Sequence, residues 1–324
     1  MSTTRTRTPL AFCLAAVVLL SATVTACGGD DSKPDPMKGD QWALDALKLP
    51  GAWDTSKGDD TVIAVVDTGV DPDHPDLKGR LVDGHDFVDN DDTPKDLNGH
   101  GTHVSGIAAA HTDNGVGIAG GAPGAKIMPV RVLGADGSGT NDNINKGIKW
   151  AADHGADVIN LSLGESGLMA KLLKGGTLNT SIKYAYGKGV TVVAAAGNDG
   201  DNVQTYKVDT PVLVVGASNS SGLPASFSNF GVENAVSAPG VDILSTLPTY
   251  TTKETLKNTS GYGDLSGTSM ASPYVAAVAA LLHHQGLKPD EIMSTIRETA
   301  QNPKNIARLG LGIVDAEAAV KKHA

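Results

Sequence analysis

The sequence holds 324 residues, 40% of them hydrophobic and only 4% aromatic, with a formal net charge of −10. That length and apolar share suffice for one large core of aliphatic, alanine and glycine side chains, so a single domain behind an N-terminal leader accounts for the chain. The acidic balance excludes nucleic acid as a partner, because holding phosphates takes a basic face.

In chain order, Arg5 and Arg7 followed by the apolar run Leu10 to Val24 have the charged and hydrophobic regions of a secretory signal, too short to be a lasting membrane span. The run closes on Val24-Thr25-Ala26-Cys27, which has the form of a bacterial lipobox, where the cysteine becomes the lipidated first residue of the mature chain. The expected division is a lipoprotein signal peptide over 1–27, a short polar tether over 28–34 (GGDDSKP) and one domain over 35–324. Lipidation at Cys27 would hold the protein on the extracellular face of a bacterial membrane, whereas ordinary cleavage nearby would secrete it with Cys27 free. Cys13 lies in the leader, so the mature chain has no cysteine pair and no disulfide framework.

From Asp35 onward, strand-like stretches at 61–66, 126–132, 156–162, 190–195 and 212–217 alternate with helical ones near 101–110, 141–154, 168–187, 270–284, 289–299 and 315–322. Continuous Val/Ile/Ala strands between amphipathic helices predict an α/β, three-layer fold, a mostly parallel central sheet with helices on both faces. In such a sheet the site belongs at the carboxyl ends of the strands, and Asp67, Ser162 and Asn198 all fall at or just after such an end. The sequence has no internal repeat.

Three stretches carry chemistry. Val62 to Gly69 reads as a buried strand ending on an acid, and Asn98-Gly99-His100-Gly101-Thr102-His103 as a glycine-rich entry to a helix. Gly267-Thr268-Ser269-Met270-Ala271-Ser272-Pro273 sets a serine at the mouth of the helical run Tyr274 to Leu282. Unpaired N–H groups and a positive dipole end make that mouth a good place to stabilise an oxyanion, and Pro273 is expected in the first turn. Alone, each has a plainer reading: a Ser N-cap, a turn-starting Asp, a satisfied core histidine.

Together, in the chain order Asp, His, Ser, they resemble the subtilisin-like serine peptidases, above all the thermitase-like group, over about Asp35 to Val320. The resemblance implies a subtilisin-like fold with Ser269 as nucleophile, His100 as general base and Asp67 as the carboxylate that orients the imidazole. It implies Asn198, in Ala194-Ala195-Ala196-Gly197-Asn198, as an oxyanion donor. His103, one turn from His100, is expected to be structural; with no Glu-x-x-His context the pair does not read as a metal site.

The resemblance also implies that an extended protein or peptide substrate is clamped between two edge segments. These are Leu133 with Gly137, Ser138 and Gly139, and Ser162-Leu163-Gly164, with Glu165 and Asp199 bordering the pocket for the residue before the scissile bond. Structural calcium is implied at two places. One is the acidic loop with Asp86, Asp89, Asp91, Thr93 and Lys95. The other joins Asp76, Asn114 and the backbone of His111, Val116 and Ile118 to Asp35, with Asp40 as second choice.

The sequence departs from the family's pattern at Tyr274, where a histidine is usual, in a longer 165–181 segment, in 201–210, and in leaving no room for a folding pro-domain. The expected protein is a monomeric serine endopeptidase. An inactive substrate-binding relative would have no need of all four residues Asp67, His100, Asn198 and Ser269, and a simple esterase no need of the clamping segments.

Overall fold

The computed structural model describes residues 1–2, 33–163, 176, 178–203, 210–252 and 260–324, and the unit it lays out begins at Ser32 and ends at Ala324. Among the described residues the strands of the main sheet are β1 (Val62–Asp67), β2 (His85–Asp86), β3 (Lys126–Arg131), β4 (Val158–Leu161), β5 (Thr191–Ala195), β6 (Leu213–Ser218) and β7 (Val236–Pro239). They lie in the spatial order β2-β3-β1-β4-β5-β6-β7, and every neighbouring pair is parallel. A separate antiparallel pair, β8 (Ile243–Thr246) and β9 (Tyr262–Leu265), precedes the longest helix. Among the described residues the α-helices are α1 (Trp42–Ala46), α2 (Leu49–Trp53), α3 (His100–Ala109), α4 (Asn141–Asp153), α5 (Asn179–Gly187), α6 (Thr268–His284), α7 (Pro289–Thr299) and α8 (Ala316–Lys321).

The central strands are mostly aliphatic because both faces are covered. Successive side chains of a strand point to opposite faces, so Ile63 and Val65 of β1 join one core and Ala64 and Val66 the other. β5 splits the same way, Val193 against Val192 and Ala194. Helices α3 and α6 fill the first core through Val104, Ile107, Val275 and Val278; α4 and α5 fill the second through Ile144, Ile148, Ile182 and Ala185. In α4 the buried positions 144, 147, 148, 151 and 152 recur at helical spacing, and the Thr140 side chain caps its start by accepting from the Asn143 N–H. Helix α6 is buried from Thr268 to Leu282, which its run of alanine and valine permits.

The three-layer architecture is as expected, and the five predicted strands and the helices at 101–110, 141–154, 270–284, 289–299 and 315–322 are present within a few residues. Of the helix expected over 168–187, the structure describes Asn179–Gly187; residues 164–175 and 177 lie outside the described set. Pro273 is not in the first turn. Helix α6 starts at Thr268, so the proline is its sixth residue and removes the hydrogen bond that the Ser269 carbonyl would otherwise receive.

Candidate active site

The carboxyl ends of β1, β4 and β5 converge with the N-termini of α3 and α6. Asp67 ends β1 and is fully buried. Its Oδ1 accepts from the Thr68 N–H at 2.7 Å and from His100 Nδ1 at 2.8 Å. A carboxylate oxygen only accepts, so the proton of the imidazole sits on Nδ1 and Nε2 is the basic nitrogen.

His100 opens α3, and the helix start is pressed onto the turn after β1: a Cβ on Gly101 would stand 2.2 Å from the Gly69 carbonyl oxygen. Asp96, which sequence reasoning passed over, holds the two together. Its buried carboxylate accepts from the hydroxyl of Thr68, from the N–H groups of Asn98, Gly99 and Thr102, and from the Thr102 hydroxyl. Burial pushes its carboxyl up, and the hydrogen bonds from Thr102, Gly99 and Asn98 pull the other way. The signal available beforehand was an Asp three residues before the glycine that caps a helix.

Ser269 is the second residue of α6 and is 3% exposed. Its Oγ donates to the Ser162 carbonyl at 3.2 Å, and its own carbonyl, freed by Pro273, accepts from the Ser162 hydroxyl at 2.9 Å. Behind them Asn160 donates to Ser162 Oγ and accepts from Ser272 Oγ, so the end of β4 is tied to the first turns of α6. Of the first N–H groups of α6, that of Thr268 donates to Asn198 Oδ1 and that of Met270 to the Gly267 carbonyl; those of Ser269 and Ala271 have no acceptor outside the helix among the described residues, and Ser269 is the one on the cleft wall. An N–H can only donate, so the Thr268 bond identifies Oδ1 and leaves the Asn198 NH₂ as the end of the amide that can donate elsewhere. The Thr268 hydroxyl donates to the same oxygen and accepts from the Gly197 N–H.

His100, Ser269 and Asn198 line one cleft of about 210 Å³ with Leu133, Gly137, Ser162 and Leu163. Thr68, Asn98, Gly267 and Met270, from the three motif stretches, complete the lining together with Leu265 and Ser266, which nothing in the sequence marked in advance. Ser138 and Gly139 are not on that wall. They close the loop on itself, through the Leu133 to Gly139 bridge and the Gly134 N–H bond to the Ser138 carbonyl. Gly164 and Glu165 lie outside the described residues, and the Asp199 carboxylate faces the Asn229 amide at 3.4 Å.

The two acidic sets expected to hold calcium differ. Asp35 and Asp76 are buried, and neither forms a salt bridge among the described residues. Asp35 accepts from the N–H groups of Asp113, Asn114 and Gly115; Asp76 accepts from the Asn114 amide, the Ile118 N–H and the Tyr262 hydroxyl. Burial raises the Asp76 carboxyl. Two buried carboxylates bridged by one asparagine and lacking a positive partner are a donor set that fits a hard cation.

In the other set, the Arg131 guanidinium binds both Asp86 and Asp89, while Asp91 accepts from the Thr93 N–H and the Lys95 ammonium lies over the Tyr250 ring. Arg131 supplies a positive charge to Asp86 and Asp89, so these two carboxylates, unlike Asp35 and Asp76, are already paired beside Asp91, Thr93 and Lys95. Among the described residues no three His, Cys, Asp or Glu side chains come together as a metal-binding group.

Comparison with known proteins agrees with this geometry. The profile of the subtilase family matches residues 58–313. A thermophilic serine proteinase of Bacillus sp. (strain AK1) is 49% identical over 251 residues, which cover 77% of this chain and 59% of that protein. Thermitase of Thermoactinomyces vulgaris is 46% identical over 261 residues, covering 80% of this chain and 88% of thermitase. Among solved structures, a protease of Pseudoalteromonas arctica PAMC 21717 superposes with a TM-score of 0.78 at 34% identity, covering 90% of this chain and 100% of that one.

Proposed function

The chain belongs to the subtilase family and is a subtilisin-like serine endopeptidase, and on that basis we propose that Asp67, His100 and Ser269 are its catalytic triad and Asn198 its oxyanion donor. The observation that carries the assignment is the 2.8 Å bond from His100 Nδ1 to Asp67 in a cleft that also holds Ser269 and Asn198. Ser269 Oγ attacks the scissile carbonyl while His100 Nε2 takes its proton. Asp67 stabilises the imidazolium that results. The carbonyl oxygen, now negative, receives the Ser269 N–H and the Asn198 amide. The C–N bond breaks as His100 returns the proton to the leaving amine, and water resolves the acyl-enzyme by the same relay.

The substrate is a protein or peptide in extended form, lying between Leu133, Gly137 and the Ser162-Leu163-Gly164 segment. Labelling the purified protein with a fluorophosphonate and mapping the adduct tests the proposal: modification of Ser269 together with loss of caseinolysis is expected. An adduct elsewhere removes Ser269 from its role.

We further propose calcium at Asp35, Asp76 and Asn114 with the carbonyls of His111, Val116 and Ile118. Its charge would offset the two buried carboxylates and tie the segment around Asp35 to the domain. Chelation should lower the Tm by about 5 °C if calcium had stood at ~100-fold its Kd, an effect of about 2.7 kcal/mol. An unchanged melting curve dismisses the site.

The leader supports secretion and a lipid anchor at Cys27, which lies outside the described residues. The proposed division is signal peptide 1–27, tether 28–34 and peptidase domain 35–324. Among the described residues no helix is long and apolar enough to cross a membrane. Cys27→Ser should shift the protein from the membrane to the soluble fraction, and unaltered partitioning rules the anchor out.

A further inference from the structure

Strand β9 contributes only Leu265 to the cleft wall and no group to the reaction as described, yet it runs through Ser266 and Gly267 directly into Thr268 and Ser269, so its position sets that of the nucleophile. It pairs with β8 in the register Ile243 to Leu265 and Thr246 to Tyr262. β8 in turn is docked on α3, the helix that carries His100. The Ser245 hydroxyl donates to the His103 carbonyl and the Thr246 hydroxyl to the Thr102 carbonyl, each at 2.7 Å. The approach is so close that a Cβ on Gly106 would stand 2.2 Å from Thr246 Oγ1.

One side chain crosses from α3 to β9 itself. His103 Nε2 lies 3.0 Å from the Gly263 carbonyl oxygen, and because a carbonyl only accepts, Nε2 carries the proton. Burial lowers the His103 pKa to about 3, so the ring is neutral wherever a triad histidine can act as a base. His100 and His103 stand three residues apart, on one side of one helical turn. The first reaches the strand end bearing Asp67, and the second reaches the strand that leads to Ser269.

We propose that His103 is a positioning residue that couples the helix bearing the general base to the strand that delivers the nucleophile, and so keeps Ser269 within reach of His100. The proposal rests on the assignment of Asp67, His100 and Ser269 above. A displacement of about 1 Å between reacting groups costs up to ~100-fold in rate, so even partial slack in β9 falls on kcat rather than on substrate binding.

The test compares His103→Leu, which deletes the donor, with His103→Gln, whose amide nitrogen can reach the same carbonyl. Active sites are counted with a burst titrant, so that unfolded molecules do not enter kcat. His103→Leu should lower kcat per titrated site, and the rate of fluorophosphonate labelling with it, by about tenfold or more, with KM within about twofold. His103→Gln should recover most of the loss. A Leu variant that melts earlier but keeps its kcat per site, or a Gln variant no better than Leu, overturns the proposal. If His103→Leu does not fold, Ser245→Ala, which releases β8 from the His103 carbonyl, carries the test. A fall of about threefold in kcat per site at unchanged KM supports the coupling, and no fall overturns it. Absence of any titratable site at Ser269 in the unaltered protein would instead defeat the triad assignment on which the proposal stands.

Discussion

Ser269→Ala is expected to lower kcat about 10⁶-fold, a magnitude carried over from a subtilisin of the same family. The substitution removes the attacking oxygen and little else. The backbone N–H of residue 269 remains, Pro273 still frees the carbonyl, and the bond to Ser162 Oγ survives. What is lost from the resting structure is one 3.2 Å hydrogen bond to the Ser162 carbonyl, a change of about 1 kcal/mol in stability. KM and Tm should therefore stay close to their original values while turnover of a chromogenic peptide collapses. Any residual rate reflects water attacking a carbonyl that the oxyanion donors still polarise. A variant that retains more than a trace of activity would mean that another group is the nucleophile.

Asp67→Ala is expected to lower kcat about 10⁴-fold, again on the scale found in a subtilisin. Alanine leaves the Thr68 N–H and His100 Nδ1 without their common acceptor. The imidazole is then free to adopt the other tautomer, and the positive charge that develops on it faces no buried carboxylate. Asp67 is fully buried and is not part of the cleft lining, so KM should change little. A loss below about tenfold would reduce Asp67 to a residue that merely starts the turn after β1.

Much of the fold was legible because its strands are continuous aliphatic runs between helices with a clear apolar face, as in β1 and α4. The hairpin β8–β9 was not: Tyr262-Gly263-Asp264-Leu265 is half exposed and two of its four residues are glycine and aspartate, so no alternating or continuous apolar pattern announces a strand. β2 is two residues long, too short for any period to show.

At the site, the residues proposed as the triad were legible because each sits in a local motif. Asp96 was not, since its importance lies in five donors collected from two separate turns. The pairing of Arg131 with Asp86 and Asp89 joins residues more than forty apart, which composition of the acidic loop alone cannot reveal. Local patterns also misplaced Pro273, because the start of α6 is set by the Asn198 bond to Thr268 rather than by the proline.

The proposed base and its carboxylate are encoded before residue 110, whereas the proposed nucleophile arrives at residue 269 on a helix that packs beneath the middle of the sheet. On the proposed assignment, a chain still being made has no complete triad until almost all of it has emerged and α6 has packed against strands that precede it by more than fifty residues. Such distant pairings are slow to form. The topology itself thus makes completion of the site a late event in folding.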